Sequence, residues 1–314
     1  MMHRAVSQSE RKYLEDGILQ GIRLDGRGYL DYRPYSVETG ILSSANGSAR
    51  IFTADADVIV GVKCEVTKPS DEKPDEGDIL FTVDCPPSIG FEIEEKSRGT
   101  LGYYLSDLLT ELCASRTCID RKAFSILPHH FCWMVFVDVT IMEWTFHGNN
   151  SSIVLKAGGC LSDIISIGIR AALGDTLLPR LQWYEKENTE DASSAEVEYQ
   201  LEADDRESAG LPFPLDSFPV CVTVGQIKDH FLWDMSSEEE SCADTIITTS
   251  IDRRGNCSGL HKSGMGTIEL SSLTTILQNS QSMGEKIIQK LHETLDELQL
   301  YRHDGQPRTG FMKF

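Results

Sequence analysis

Hydrophobic and polar positions along the chain switch between a helical and an alternating period, and each switch marks an element. From Ser7 to Gly21 the spacing is helical: Tyr13, Leu14 and Ile18 share one face, Ser7 and Glu10 form a capping box, and Gly21 is a stop. From Tyr35 to Val66 short β-rich runs take over, SARIFT and then VIVGVKCEV, with a turn at Asn46-Gly47. Lys68 to Asp78 holds Pro69, Pro74, Gly77 and several charges and reads as an exposed loop, followed by a strand in ILFTVDC (Ile79 to Cys85). Gly99 to Ser115 places Leu101, Tyr104, Leu105, Leu108, Leu109 and Leu112 at helical spacing. WMVFVDVTIMEW (Trp133 to Trp144) is apolar and β-branched except at Asp138 and Glu143, which predicts a strand buried on both faces. A further amphipathic helix is predicted over Cys160 to Leu173, preceded by Gly158-Gly159.

The clearest boundary comes next. Between Glu185 and Glu207 ten acidic residues face only Lys186 and Arg206, and large apolar residues are almost absent. Such a stretch cannot bury enough surface to offset its ordering entropy, so a disordered acidic linker is expected over 183–210. Beyond it, FPVCVTVGQI and ADTIITTSID are strands, Arg253 to Asn256 is a turn, and CSGLHKSGMGTI is a strand with a Gly-rich bend. Glu269 to Leu300 is a long helix carrying Leu273, Ile276, Leu277, Ile287, Ile288, Leu291, Leu295 and Leu298. Each half therefore runs strands and then a helix, an α+β pattern of two similar halves. The expected organisation is an N-terminal helix (1–20), a first half (21–182), the linker (183–210), a second half with its long helix (211–300) and a loose tail (301–314).

Charge alters this picture in one respect. With 49 Asp+Glu against 29 Lys+Arg the net charge is −20, which argues against a stand-alone binder of nucleic acid, because phosphate affinity comes mostly from Lys and Arg. Other chains would have to supply much of the positive field if this protein meets RNA. The linker alone carries −8, so the folded body is less acidic than the total. Nine cysteines at scattered spacings, without a CxxC, and a charged N-terminus predict a reduced intracellular compartment and no zinc site. No run of 18 apolar residues occurs, so no membrane span is expected.

The stretch Gly21 to Val66 carries Arg23, Asp25-Gly26-Arg27, Tyr32-Arg33-Pro34 and Asn46-Gly47-Ser48-Ala49 in an order and spacing that resembles RNase PH-like proteins. GVKCEV, VDCPPS, HHFCWMVFVDVTIME, GGCLSDIISIGIRAAL, the EEE run before Ala243-Asp244, and HKSGMGTIE continue the match from roughly Ser7 to Leu300. More narrowly, the chain is similar to the class of RNA exosome ring subunits that lack an active site of their own. The resemblance implies a duplicated α+β RNase PH fold and a place in a six-membered ring. The implied partners are other RNase PH-like ring subunits in obligate pairs, RNA-binding cap proteins, and single-stranded RNA passing through the channel during 3'-to-5' processing and degradation. It implies no cofactor or metal, and a location in nucleus, nucleolus and cytoplasm.

In active members phosphate attacks the terminal RNA linkage, held by a Gly-Thr-Arg-Ser turn at a helix start, with acidic residues of the second half in support. Here the turn reads Gly159-Cys160-Leu161-Ser162-Asp163. Leu161 stands where an Arg fork would hold the anion, and Asp163 is expected to repel phosphate at the helix N-terminus. Asp234 and Glu238-Glu239-Glu240 lie where the family's acids fall. The expectation is a non-catalytic subunit; the alternative is an active phosphate-dependent 3'-exoribonuclease.

Plainer readings compete with the remaining functional ones. Arg23, Asp25, Arg27 and Arg33 are expected to form ion pairs that fix the first strand, in preference to touching RNA. Arg98, Arg116 and Arg121 flank the helix that the family turns toward the channel and are the RNA-binding candidates. His129-His130 reads as strand-entry packing or as solvent-exposed, in preference to ligands or bases, Glu238 to Glu240 as a solvated helix N-terminal turn in preference to a Mg²⁺ site, and His261 to Gly266 as a bend without P-loop spacing. Thr145 to Ala157 interrupts the family pattern, as a surface hairpin, an insertion or a gene-model artefact.

Overall fold

The computed structural model describes residues 7–314 except 55, 86–97, 116, 143, 149–150, 156–158, 186–198, 204–209, 301–308 and 313–314. Its first helix, α1 (Gln8–Leu19), starts at the capping box foreseen in the sequence: Ser7 Oγ accepts from the Glu10 amide at 3.2 Å, and Glu10 accepts from the Ser7 amide at 3.0 Å. Leu14 and Ile18 are buried, but Tyr13 is 69% exposed, because the second half covers only a narrow stripe of the helix.

The strands of the first half are β1 (Tyr35–Thr39), β2 (Gly47–Phe52), β3 (Asp57–Thr67), β4 (Asp78–Asp84), the short β5 (Ser125–Leu127) and β6 (Phe131–Met142), with α2 (Arg98–Cys113) between β4 and β5. A hairpin of β7 (Trp144–Gly148) and β8 (Ser151–Leu155) occupies the interrupting segment, so of its three readings the hairpin is the geometry present. Then come α3 (Leu161–Asp175), β9 (Leu177–Leu178), β10 (Leu181–Glu185), β11 (Tyr199–Ala203) and β12 (Leu211–Pro212). The second half holds β13 (Val220–Ile227), β14 (His230–Trp233), α4 (Ser237–Cys242), β15 (Thr245–Ile251), β16 (Cys257–Gly264) and α5 (Leu270–Leu300), and β17 (Thr309–Met312) follows.

Two main sheets result. The first has the order β17-β1-β2-β3-β6-β4, antiparallel except where β4 runs parallel to β6. The second has the antiparallel order β14-β13-β15-β16. The helices lie between them: α3 packs on β2 and β3 and also on β13, α2 touches β4 and β16, and α5 packs on β13, β15 and β17. A single apolar cluster joins both halves through these helices.

Five expectations change. The helix α3 is buried along its whole length from Ser162 to Leu173, not on one face, because both sheets close on it. The strand β6 is buried on one face only: Val135, Val137, Val139 and Ile141 are inside while Asp138, Thr140 and Met142 are exposed, since α2 and α3 cover a single side of that sheet. Within the acidic segment, Leu181–Glu185 pairs with Tyr199–Ala203, so its flanks are ordered strands, and 186–198 lie outside the described residues. The C-terminal tail is not loose at 309–312: β17 joins the edge at β1 and buries Met312 to 1%. A four-residue strand is too short for its alternation to register in sequence. The turn expected at Asn46-Gly47 lies earlier, where the Ala45 amide donates to Leu42. Gly47 instead serves close approach, since a Cβ there would overlap Thr176 and the Ala172 carbonyl.

Arg170 of α3, fully buried, donates to the Phe218 carbonyl and lies 3.2 Å from His292 Nε2 on α5. Burial and the Arg170 charge lower the His292 pKa, which keeps that ring a neutral acceptor. The halves are thus joined by packing as well as by the chain. A protease site inserted between 190 and 191 should therefore yield two fragments that co-elute in gel filtration; separation without denaturant would contradict the shared core.

Candidate functional site

The site is the junction where four segments meet: the turn before α3, residues 23–33, the loop from Asp234 to Ser236, and α4. Its base is the α3 turn. Gly159 packs so closely on the Met235-Ser236 backbone that any Cβ would overlap it. Cys160 then adopts a left-handed conformation (φ +55°) and caps the helix without a side-chain bond. A helix N-terminus of this kind attracts an anion through its unpaired amides and its dipole.

That end of the helix is already taken. The Cys160 amide donates to Glu240 Oε2 at 3.0 Å, so the chain's own carboxyl group sits on the first amide of the turn. Burial raises the Glu240 pKa, opposed by the Cys160 amide and Arg33. Glu240 is positioned by α4, whose capping box has Ser236 Oγ accepting from the Glu239 amide at 3.3 Å. That box is legible in Ser236-Ser237-Glu238-Glu239, and sequence analysis missed it by reading the acidic run as a solvated turn. Glu239 is 2% exposed, and Glu240 faces the α3 turn.

Among the described residues, three arginines around the turn each meet an acid. Arg23 forks onto Glu239 at 2.7 and 2.9 Å and donates to the Asp234 carbonyl at 2.9 Å. Arg33 pairs with Asp234 at 2.7 Å and gives a further hydrogen bond to the Gly159 carbonyl at 2.9 Å. Burial works against the Arg33 charge, but Asp234 more than offsets it and the pKa rises. Arg27 joins Asp234 at 2.8 Å and Asp25 at 2.6 Å. The ion-pair reading of these arginines fits, with one correction. Their acids lie mainly in the second half, so the pairs bind the halves together as well as shaping the first strand. Asp234 itself is fully buried at φ +45°, clamped by two arginines.

The other turn residues face inward. Leu161 packs against the main core. Ser162 is 7% exposed, its Oγ 3.1 Å from Thr223 Oγ1. Asp163 is completely buried; its carboxylate accepts from the Thr223 amide at 2.9 Å, the Thr223 hydroxyl at 2.5 Å and the Tyr32 hydroxyl at 3.4 Å. Burial pushes its pKa up to about 7 despite the Thr223 hydrogen bonds. The expectation that Asp163 repels phosphate at the mouth of the turn is therefore corrected. Its charge is turned onto β13, and Glu240 is the residue that takes the anion position. Position alone, one residue past Ser162, could not show which way the carboxylate points.

Arg121 forms an ion pair with Asp78 at 3.0 Å and donates to the Ala114 carbonyl at 2.9 Å, so its guanidinium is engaged within the chain. Arg98 is the first residue of α2, its side chain outside the described part, and Arg116 lies outside the described residues. His129 is exposed in the turn before β6, at φ +68°. Among the described residues no group of three or more His, Cys, Asp or Glu could hold a metal ion, and no helix is long and apolar enough to cross a membrane.

Residues 31–179 match the model of the 3' exoribonuclease family, domain 1, and residues 217–283 that of domain 2. The chain is 26% identical over 340 residues to the putative exosome complex exonuclease RRP42 of Dictyostelium discoideum, covering 93% of this chain and 98% of that one. It is 27% identical over 291 residues to the exosome complex component Rrp42 of Methanocella arvoryzae, with the same coverage of 93% and 98%. Among solved structures, a chain of the Archaeoglobus fulgidus exosome with RNA bound to the active site has a TM-score of 0.69 at 24% identity, over 90% of this chain and 97% of that one. A chain of an archaeal exosome core has a TM-score of 0.66 at 23% identity, over 90% and 96%. These two likenesses establish a shared fold.

Proposed function

Since the chain belongs to the 3' exoribonuclease (RNase PH) family, through both of its domains, we propose that it is a ring subunit of an RNA exosome that performs no phosphorolysis itself. The relatives named exosome components, matched over nearly their whole length, support the ring role. The edge strands β4 and β16, with exposed Leu80 and Leu260 on them and exposed Met265 and Leu270 just after β16, are the kind of surface that pairs with a neighbouring subunit. The chain would help frame the channel for single-stranded RNA and carry cap proteins. Its compartments would be nucleus, nucleolus and cytoplasm.

The observation that carries the non-catalytic reading is Glu240 on the Cys160 amide, beside Leu161 in the place of an Arg. Phosphorolysis must hold phosphate against RNA, another polyanion, so its site must offset repulsion between two negative groups. A carboxylate already on the helix N-terminus does the reverse. Given RNA and phosphate, the purified chain should release no nucleoside diphosphate. Leu161→Arg alone should leave release at background, because Glu240 still holds the amide. The Dictyostelium relative carries the word exonuclease in its name, and the same assay decides that alternative: phosphate-dependent release by the wild-type chain, free of any partner subunit, would establish it.

The ring role has its own test. The isolated chain should self-associate and become monodisperse when co-expressed with an RNase PH-like neighbour, as read by native mass spectrometry. A stable monomer without affinity for such a neighbour would remove it from the ring. Within the assembled complex, Arg98 and Arg116 are the proposed RNA contacts, read by crosslinking. Arg121 should crosslink least, being held by Asp78.

A further inference from the structure

We propose that a cleft on the far side of the Asp234 loop docks an arginine side chain presented by a segment of a partner protein. The cleft, about 540 Å³, opens between residues 28–31, the β13–β14 turn and the first turns of α5. Tyr29, Phe231, Trp233 and Ile276 form its apolar wall, while Asp31 and Asp229 stand in the lining; no Lys or Arg is among the lining residues. Both carboxylates belong to exposed residues.

The wall is built before any partner arrives. The Trp233 amide donates to the Tyr29 carbonyl at 2.9 Å, the Tyr29 hydroxyl donates to the Ile18 carbonyl, and the Tyr29 ring packs 5.3 Å from the His230 ring. Asp31 is held by the Gly28 amide, which donates to Oδ2 at 2.7 Å. A preformed aromatic pocket with Asp31 held in place and Asp229 beside it is complementary to a flat cation, which stacks on ring faces while its N–H groups reach the acids. Nucleic acid fits badly: aromatic pockets that stack bases work beside Lys and Arg that hold phosphate, and here two acids and no Lys or Arg line the cleft. A lone guanidinium fills part of the volume and leaves Leu30, 47% exposed, uncovered. A flanking peptide covers it, and this is why the occupant is a protein segment. The inference stands apart from the ring-subunit reading, since the cleft involves neither β4 and β16 nor the α3 turn.

The test uses the full-length chain, alone or with a co-purified partner subunit, labelled with 5-fluorotryptophan. The sequence has 4 Trp, and Trp233→Phe assigns the signal of interest. Trp233 is 4% exposed and its indole N–H finds no acceptor among the described residues, so its signal is sensitive to a change at the cleft wall. The probes are acetyl-Gly-Leu-Arg-Leu-Gly-amide, the same peptide with citrulline for Arg, the same with Glu, and free L-arginine. The Arg peptide should shift the Trp233 signal saturably, bind about tenfold more tightly than the citrulline peptide, weaken with salt, and weaken several-fold in Asp229→Asn. No shift with the Arg peptide, equal binding by citrulline or Glu peptides, or indifference to Asp229→Asn would overturn the proposal. Free arginine binding as tightly as the peptide would also overturn it, by marking a small-molecule site instead of a docking surface.

Discussion

Asp234→Ala should destabilise the chain by about 3–5 kcal/mol, the usual cost of stranding buried charge by removing its partner. Asp234 has no exposed surface and accepts from the Arg33 amide at 2.6 Å, from Arg33 Nη2 at 2.7 Å and from Arg27 Nη1 at 2.8 Å. The Arg33 and Arg27 side chains are 8% and 14% exposed, so without Asp234 neither regains much hydration. Asp234→Asn keeps the shape and loses the charge, and should also destabilise. Asp234→Leu combined with Arg33→Met should lose less than Asp234→Ala, because it deletes the stranded charge along with its partner. Urea denaturation of the three variants measures this. An Asp234→Ala loss below about 1 kcal/mol, the scale of an exposed pair, would mean that water reaches both guanidiniums. The prediction bears on the proposed function as well: an acid this tightly clamped serves the junction of the halves.

Asp163 should make the protein more stable in mild acid than at neutral pH, relative to Asp163→Asn. Its folded pKa, about 7, lies above its ordinary value of 3.8 because burial opposes the charged form. The sign follows from linkage. A group whose folded pKa is raised contributes stability that is fully present below the unfolded value and is lost as pH rises through the folded one. Stability due to this residue is therefore complete below about pH 4 and falls away up to and through about pH 7. A shift of this size corresponds to something on the order of 4 kcal/mol. Asn at 163 keeps an acceptor for the Thr223 amide and does not titrate, so subtracting its profile removes the contributions of other acids. Denaturation midpoints at pH 4.5, 6 and 8 should converge on or cross those of the wild type toward acid. Parallel profiles would mean that Asp163 titrates as an ordinary carboxylate.

The amino-acid sequence by itself determined the elements, the α+β class and the family. Local signals suffice for these: a capping box at Ser7 and Glu10, leucines at helical spacing in α2, β-branched runs in β3 and β15, and an Arg-Asp-Arg-Arg series in fixed order. It also showed Leu161 where the family resemblance leads one to expect an Arg, since a missing side chain needs no geometry to be seen. Only the tertiary structure decided what stands in its place. The direction of a carboxylate depends on contacts between distant segments: Glu240 reaches back to an amide 80 residues earlier, and Asp163 turns to Thr223 60 residues later. The burial of α3 was illegible for the same reason, because its polar residues meet a second sheet that local periodicity cannot report. The closing strand β17 escaped notice because four residues carry almost no pattern until β1 offers them an edge. Hydrophobic period is a property of a segment, whereas the pairing of charges and the covering of faces are properties of the assembled core.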